Sequence, residues 1–462
     1  MPMKKCKILV CVLLFCLGIS LISNYTLLQK DAIMNNSSED SRMNKSYSSS
    51  YVPHDAIWIQ SNEEFISQAD LEGWAGNGSE ANPFVITGYS FNQVTQPLRI
   101  WNTNLHWIFS DNIVDGISGA QCGTWIQDVS NGAIVDNEFL NRHSGLYLKN
   151  LENFIISGNS IHDNYGYGLE IPGEITNCNI SDNTITECLE GGIRIINRIT
   201  NCSIIDNTIS QCNAFGLLVT GGVHDSSLMG NIVEEINGFG IFVAMAANSQ
   251  IALNKIYNSS DDGLTISGLN QCVVDENYIE DINGIGMILK NSVSSEIANN
   301  QINNCEENGI EVESGQNSTI MWNIIQDCLG YALEFDINTE FFDVRYNAFV
   351  SDLIDCQLHD EGISNIVSQN YYSDWTSPDD DADGYVDEPY DIDGLAENQD
   401  LFPLVEAGIV PELPFTTTET TANSATTNNT QNNPDIVMQL ALAGGSVAVL
   451  LIFAGIIVLK RR

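Results

Sequence analysis

The sequence predicts an all-β fold, a right-handed parallel β-helix of about twelve coils, on three observations. An asparagine set among strand-like apolar residues recurs at a nearly constant interval. Apolar residues hold fixed places around each of these asparagines. Short period-two runs bounded by Gly and Asn fill the rest of each interval.

The first observation begins with "IIDNTISQCNAFGLLV", where Asn207 interrupts apparent strand core. Asparagine is depleted in strands, and a buried amide without partners costs about 1–3 kcal/mol. The same pattern returns at Asn137, Asn159, Asn183, Asn231, Asn254, Asn277, Asn300, Asn323, Asn347 and Asn370, with Asn112 as the first member. From Asn159 onward the spacing is 23 or 24 residues, and the two earlier gaps are 25 and 22. A fixed period in this range marks a solenoid.

Three residues before each Asn stands an apolar residue, such as Ile180, Ile204 or Leu228. Nine residues after it comes Gly followed by apolar-x-apolar, as in "GLEI" at Gly168, "GIRI" at Gly192 and "GLLV" at Gly216. These features predict three short strands and tight turns per unit, one coil of a parallel β-helix. The units lack the Leu framework of leucine-rich repeats. Coils stacked at ~4.8 Å give a rod on the order of 55 Å long and place equivalent side chains above one another. Stacked amides then bond along the column and to the turn backbone, so the Asn column is predicted to be structural.

Cysteines follow the same period. Cys178 and Cys202 share one repeat position, while Cys188 with Cys212 and Cys305 with Cys328 share another. Neighbours one coil apart stand within disulfide reach, but bridges between adjacent strands are strained, which favours a stack of buried thiols. No CxxC occurs, which argues against a zinc or redox site.

The ends predict a compartment. Lys4, Lys5 and Lys7 precede a short apolar run from Ile8 to Ile22, the layout of a signal peptide or of an uncleaved anchor. Residues 24–51 are polar and Ser-rich, a disordered leader. Residues 52–100 form an N-terminal cap, 101–370 the repeats, and 371–405 an Asp-rich C-terminal cap. Residues 406–435 are a Thr- and Asn-rich stalk, open to glycosylation. Residues 436–459 are long and apolar enough for one transmembrane helix, and the tail 460–462 is basic and belongs on the cytoplasmic side. The reading is a single-pass cell-membrane protein with its large domain outside. The 17 Lys and Arg against 60 Asp and Glu, net −43, exclude nucleic acid as the expected partner.

With these residues the chain resembles the right-handed parallel β-helix repeat proteins grouped with NosD-like periplasmic copper-handling proteins and with carbohydrate-binding and sugar-hydrolase domains. The resemblance covers residues 52–405. "GWAGNGSEANPFVITGYSF" is similar to the N-terminal capping segment of archaeal members. "NYYSDWTSPDDDADGYVDEPYDIDG" with "NQDLFPL" resembles the C-terminal terminator of NosD-like chains. The resemblance implies fold, and only by name a role in copper handling. His54, His106, His143, His162, His224 and His359 fall at unrelated repeat positions, and no Met-x-x-Met or Cys-His cluster supports copper.

Three stretches carry candidate chemistry. In "DDDADGYVDE", Asp379, Asp381, Asp383 and Asp387 with the Tyr385 carbonyl offer hard oxygen ligands at a spacing that suits Ca²⁺. Tyr390 stands where an EF-hand has its bidentate Glu, so the expected role is to staple the cap. A polysaccharide lyase or glycosidase is the enzymatic alternative, with Arg194, Asp261 and Asp262 as candidates. Neither arrangement matches a catalytic signature, and ordinary surface charge accounts for all three. The better-supported site is a partly apolar stripe of Tyr167, Glu170, Arg194, Phe215, Leu218, Phe239, Phe242, Glu311 and Glu334. Such a stripe suits sugar stacking or protein contact, and a monomeric binding or adhesion module for a glycan or surface protein is expected.

Overall fold

The computed structural model describes residues 51–116, 123–351 and 357–408. The expected signal peptide, transmembrane segment and basic tail, and all but the last residue of the leader and the first three of the stalk, lie outside these residues. Among the described residues no helix is long and apolar enough to cross a membrane.

Each coil turns through three parallel sheets, here A, B and C. In one coil Ser203–Ile205 lies in sheet C, Thr208–Ser210 in sheet A and Asn213–Val219 in sheet B. Every strand pairs in register with its counterpart one coil away: Ile180 faces Ile204 and then Leu228, and Ile185 faces Ile209 and then Val233. Sheet C holds 13 strands, and sheets A and B join through Ile232–Ala244, which runs around their shared corner. The middle residue of each short sheet-C strand points inward, giving a file of Ile180, Ile204, Leu228, Ile251, Val274, Ile297 and Ile320 in the core. Each such buried aliphatic side chain contributes about 1.5–3 kcal/mol.

Corners are built from a residue in the left-handed region followed by an inward one. Around one coil these are Asp206 (φ 54°) before Asn207, Gln211 (φ 53°) before Cys212 and Asn201 (φ 50°) before Cys202. Asn and Asp tolerate this region best among residues with a side chain, which explains their abundance at the corners.

The asparagine column is a continuous buried ladder. Asn207 Nδ2 donates to Ile180 O (2.9 Å), Ile205 O (3.1 Å) and Asn231 Oδ1 (3.0 Å). Its Oδ1 accepts from the backbone N and the Nδ2 of Asn183, at 3.1 and 2.9 Å. The pattern begins at Asn112, whose Oδ1 accepts from Tyr89 N, and runs through to Asn370. The expected polar ladder is therefore what the fold contains, with no amide left unpaired along it.

A second ladder runs at the B–C corner, where sulfur and oxygen share one task. Cys178 N bonds Cys202 Sγ, Cys202 N bonds Ser226 Oγ, and Ser249 N bonds Cys272 Sγ, at 3.0–3.4 Å. The described cysteines are buried free thiols, the arrangement favoured from strain.

Two caps close the solenoid. The helix Asn62–Glu72 is an addition to the expected all-β cap. Ser61 caps its first turn by accepting from Glu64 N, and Gly73 (φ 71°) ends it. Its Phe65 stacks on Phe84 at 5.3 Å over the first coil. Arg142, fully buried, ties the same end together by donating to Val94 O (2.8 Å) and Asp115 O (2.9 Å), and burial lowers its pKa to about 10. At the other end Tyr390 stacks on Tyr372 at 3.7 Å. Asp400 takes the place of a thirteenth asparagine, accepting from Gln369 N (3.0 Å) and Asn370 N (2.9 Å).

Substituting Asn207 by Ala removes acceptor and donor from a fully buried site. The expected cost is on the order of 3 kcal/mol, read as a lower midpoint in urea unfolding. The exposed strand residue Lys255, replaced by Ala, should shift stability by no more than about 0.5 kcal/mol. Equal losses at the two positions would contradict the ladder's role.

Candidate functional site

The outer face of sheet B places one outward side chain per coil in a single file. Register gives Trp58, Arg99, Trp125, Tyr147, Glu170, Arg194, Leu218, Phe242, Thr265, Ile288, Glu311, Glu334 and His359. The expected stripe thus exists, and it extends beyond the expected limits in both directions.

Its central part is an aromatic stack beside an ion pair. Arg194 Nη1 bonds Glu170 Oε1 at 3.2 Å and the guanidinium sits 4.8 Å from the Tyr167 ring. Glu170 also accepts from Ser144 Oγ at 2.8 Å. The rings of Tyr167 and Phe215 are 5.9 Å apart, although Gly191 occupies the coil between them. A Cβ at Gly191 would come within 2.4 Å of the Phe215 ring, so glycine is what lets that ring lean across. Phe215 stacks in turn on Phe239 (5.7 Å), and Phe239 packs against Phe242 (5.8 Å). Leu218 is half-buried between Arg194 and Phe242, and Thr265 and Ile288 beyond are buried, forming a floor rather than a ridge.

Towards the C-terminal end the file becomes acidic. Asn308 Nδ2 donates to Glu311 Oε2 (3.2 Å) and to Glu334 Oε2, bridging carboxylates on neighbouring coils. His359 Nδ1 lies 3.1 Å from Glu334 Oε1, and its ring stacks on Tyr331 at 4.9 Å. Burial holds the Glu311 carboxyl above its ordinary pKa, with Glu334 and Glu313 adding like charge. Asp262 is likewise raised by burial and by Asp261 and Glu307, while Ile285 N bonds its Oδ1 at 3.1 Å.

The three catalytic candidates are not brought together. Arg194 is engaged by Glu170, whereas Asp262 and the exposed Asp261 belong to a coil three steps along the file. The Asp379, Asp381 and Asp383 carboxylates do converge, with oxygens within 4.8 Å of one another. Asp387 accepts from Asp380 N, and Tyr385 N donates to Asp383 Oδ1 at 2.9 Å, so both lie along the same turn.

Sequence reasoning missed the N-terminal aromatic cluster of Trp58, Arg99, Trp101, Trp125 and Tyr147. Its rings pack edge to face, Trp101 on Trp125 at 5.3 Å and Trp125 on Tyr147 at 5.2 Å. The available signal was "GTWI" at Gly123 and "GLYL" at Gly145, the same Gly-x-x-x strand opening. These glycines fall eleven and eight residues after their asparagines rather than nine, so a strict period passes over them.

A carboxyl whose folded pKa is raised stabilises the fold below its unfolded pKa, and loses that contribution as pH rises through the folded value. Asp262→Asn and Glu311→Gln keep an acceptor but remove the charge. Each should raise the melting temperature at pH 7, with the gain vanishing below about pH 4, where both forms are neutral. A gain of equal size at both pH values would show that burial of charge is not the cause.

A family model described as right handed beta helix region matches residues 98–254 and 221–371. Solved structures similar to this chain include the A-module of the Azotobacter vinelandii mannuronan C-5 epimerase AlgE4, at 11% identity, TM-score 0.46, 66% of this chain and 90% of that one. A mutant of the periplasmic alginate epimerase AlgG aligns at 12% identity, TM-score 0.38, 68% of this chain and 84% of that one. The tailspike protein of E. coli bacteriophage HK620, in complex with a pentasaccharide, aligns at 11% identity, TM-score 0.36 and 66% of each chain. At these values the likeness is one of fold and transfers no substrate. No curated protein sequence matches the chain. The family match, the three parallel sheets and the coil-to-coil register agree: this chain belongs to the right-handed β-helix family.

Proposed function

We propose that the protein is a glycan-binding module of the cell surface, held to the membrane by residues 436–459, with the outer face of sheet B as its binding surface. The observation that carries this reading is the in-register file along that face, in which aromatic and apolar side chains stand on both sides of the Glu170–Arg194 ion pair. Coils rise by ~4.8 Å, comparable to one sugar unit of an extended chain, so successive pyranose rings can meet successive coils. Half-buried aromatic rings bind the apolar faces of sugars, and neighbouring Arg, Asn and Glu side chains supply hydrogen bonds to hydroxyls. A protein ligand would use the same stripe, but a face many coils long and only a few residues across suits a linear polymer better than a broad interface.

The Asp379–Asp381–Asp383 group supports a structural Ca²⁺ in the C-terminal cap. Its donors are all carboxylate oxygens, the chemistry Ca²⁺ prefers, and copper would call for nitrogen or sulfur. The neighbouring hairpin of Tyr390–Asp391 with Gln399–Asp400 carries the carboxylate that ends the asparagine ladder, so an ion here would stiffen that end.

A second reading, glycoside hydrolysis, is favoured by one feature. Glu311 and Glu334 stand on neighbouring coils and share the Asn308 amide, and paired carboxylates flanking a bond are what such hydrolysis needs.

The full-length protein on a glycan array should retain a linear polysaccharide, and Phe242→Ala should weaken that binding about tenfold. Binding without release of reducing ends keeps the module reading. Release abolished by Glu334→Gln would replace it with the hydrolase. Retention of no glycan by the array would refute both. Separately, EDTA should lower the melting temperature and added Ca²⁺ restore it, and an unchanged value would remove the ion from the cap.

A further inference from the structure

The N-terminal end of the sheet-B face differs in charge from the rest of the molecule. The chain carries a net −43, yet the file Trp58, Arg99, Trp125, Tyr147 and the adjacent file Trp101, Gln127, Lys149 carry two cations; Asp128, which accepts from Gln127 Nε2 at 2.8 Å, faces Lys149, and Arg99 is the cation set among rings instead. The Arg99 guanidinium carbon lies 4.6 Å from the Trp101 ring centre, 5.1 Å from Trp125 and 5.4 Å from Trp58. Among the described residues Lys and Arg side chains form ion pairs at Arg194, Lys290 and Arg345, and Arg99 has none.

Hydrogen bonds within the protein orient part of the cluster. Trp58 Nε1 donates to Gln96 O at 3.0 Å and Trp125 Nε1 to Gln127 Oε1 at 3.2 Å, which fixes two of the three rings. Two further donors, Arg99 Nε and Trp101 Nε1, are cut off from solvent and have no hydrogen-bond partner. Shielded donors without acceptors are uncommon in folded proteins and call for an explanation. A guanidinium held by ring faces instead of by carboxylates leaves its two terminal Nη groups, which unlike Nε are not shielded, as the fork that meets a bidentate anion. Trp58 is 53% exposed beside it, an open aromatic face of the kind that stacks on a sugar ring.

We propose that Trp58, Arg99, Trp101 and Trp125 form a subsite for an anionic sugar, one bearing a carboxylate or a sulfate, within a polysaccharide laid along sheet B. This rests on the glycan-binding reading above and adds selectivity for charge to it. The Arg99 fork takes the anionic group, the Trp58 face takes the ring, and the polymer continues over Tyr147 towards the Tyr167–Phe215 stack. Without such a local cation, an anionic polymer would be repelled by a protein of this net charge.

The test uses the full-length protein with three probes, followed by calorimetry and tryptophan emission. These are a galacturonate hexamer, the same hexamer with its carboxyl groups reduced to alcohols, and a sulfated oligomer of a neutral sugar. The galacturonate or the sulfated probe should bind at least about tenfold more tightly than the reduced one, and their ranking identifies the anion. Arg99→Gln should erase that difference, while Trp58→Ala should weaken charged and reduced probes alike. Unchanged far-UV circular dichroism shows that each variant is folded, and Arg99→Lys, which keeps charge but loses the fork, should fall between wild type and Arg99→Gln. Equal affinity for charged and reduced probes, or selectivity that survives Arg99→Gln, overturns the subsite and leaves the glycan-binding face standing. Failure of the wild-type protein to bind any probe, charged or reduced, or any arrayed glycan overturns both.

Discussion

The buried amide ladder is the constraint on which the rest of this structure depends. Each sheet-C strand turns into sheet A through a corner whose backbone groups cannot reach water. An Asn at that corner supplies both the missing donor and the missing acceptor, as Asn207 does for Ile180, Ile205 and Asn183. The ladder works only if each amide stands over the last, which fixes coil length at 23 or 24 residues over most of the repeat. Register at one corner then sets register everywhere else in the coil. The outer face of sheet B is a usable surface because its side chains inherit that alignment.

The same economy of chemistry appears at the B–C corner, where Cys178, Cys202, Ser226, Ser249 and Cys272 fill one column. A thiol and a hydroxyl are both small, both accept a backbone N–H and both fit the space, so they exchange freely along the column. The cysteines belong to the architecture for this reason. Their period has the same origin as that of the asparagines. The ladder ends on a carboxylate rather than an amide, and burial pushes Asp400 above the ordinary carboxylate pKa despite the donors from Gln369, Asn370 and Phe402.

Charge divides the sheet-B face into regions. Arg99 lies among tryptophans at one end, Leu218, Phe242, Thr265 and Ile288 make an apolar middle, and Glu311, Glu334 and His359 make a hydrogen-bonded acidic end. The middle and acidic parts were legible in the sequence because "apolar-x-apolar" after each Gly names the outward residue directly. Arg194 above Glu170 could be read in this way. The tryptophan end was not legible, because the early coils are 25 and 22 residues long and their glycines shift with them. Spacing already sets Arg194 and Asp262 three coils apart, but it could not show that Asn308 bridges Glu311 and Glu334, since that depends on where side chains point.

The sequence by itself determined the solenoid, its period, its inward Ile and Val positions and the structural role of its asparagines. All of these are consequences of repetition, in which one local rule holds at every coil. Only the tertiary structure decided the features that occur once. The helix Asn62–Glu72 lies over the first coil, Arg142 reaches back to Val94, and Asp400 arrives from thirty residues beyond Asn370 to end the ladder. Arg99 among Trp58, Trp101 and Trp125 belongs with these, since three coils must stack before a cation and three rings from distant positions meet. A periodic sequence announces what its coils share, and contact across coils alone defines the places where they differ.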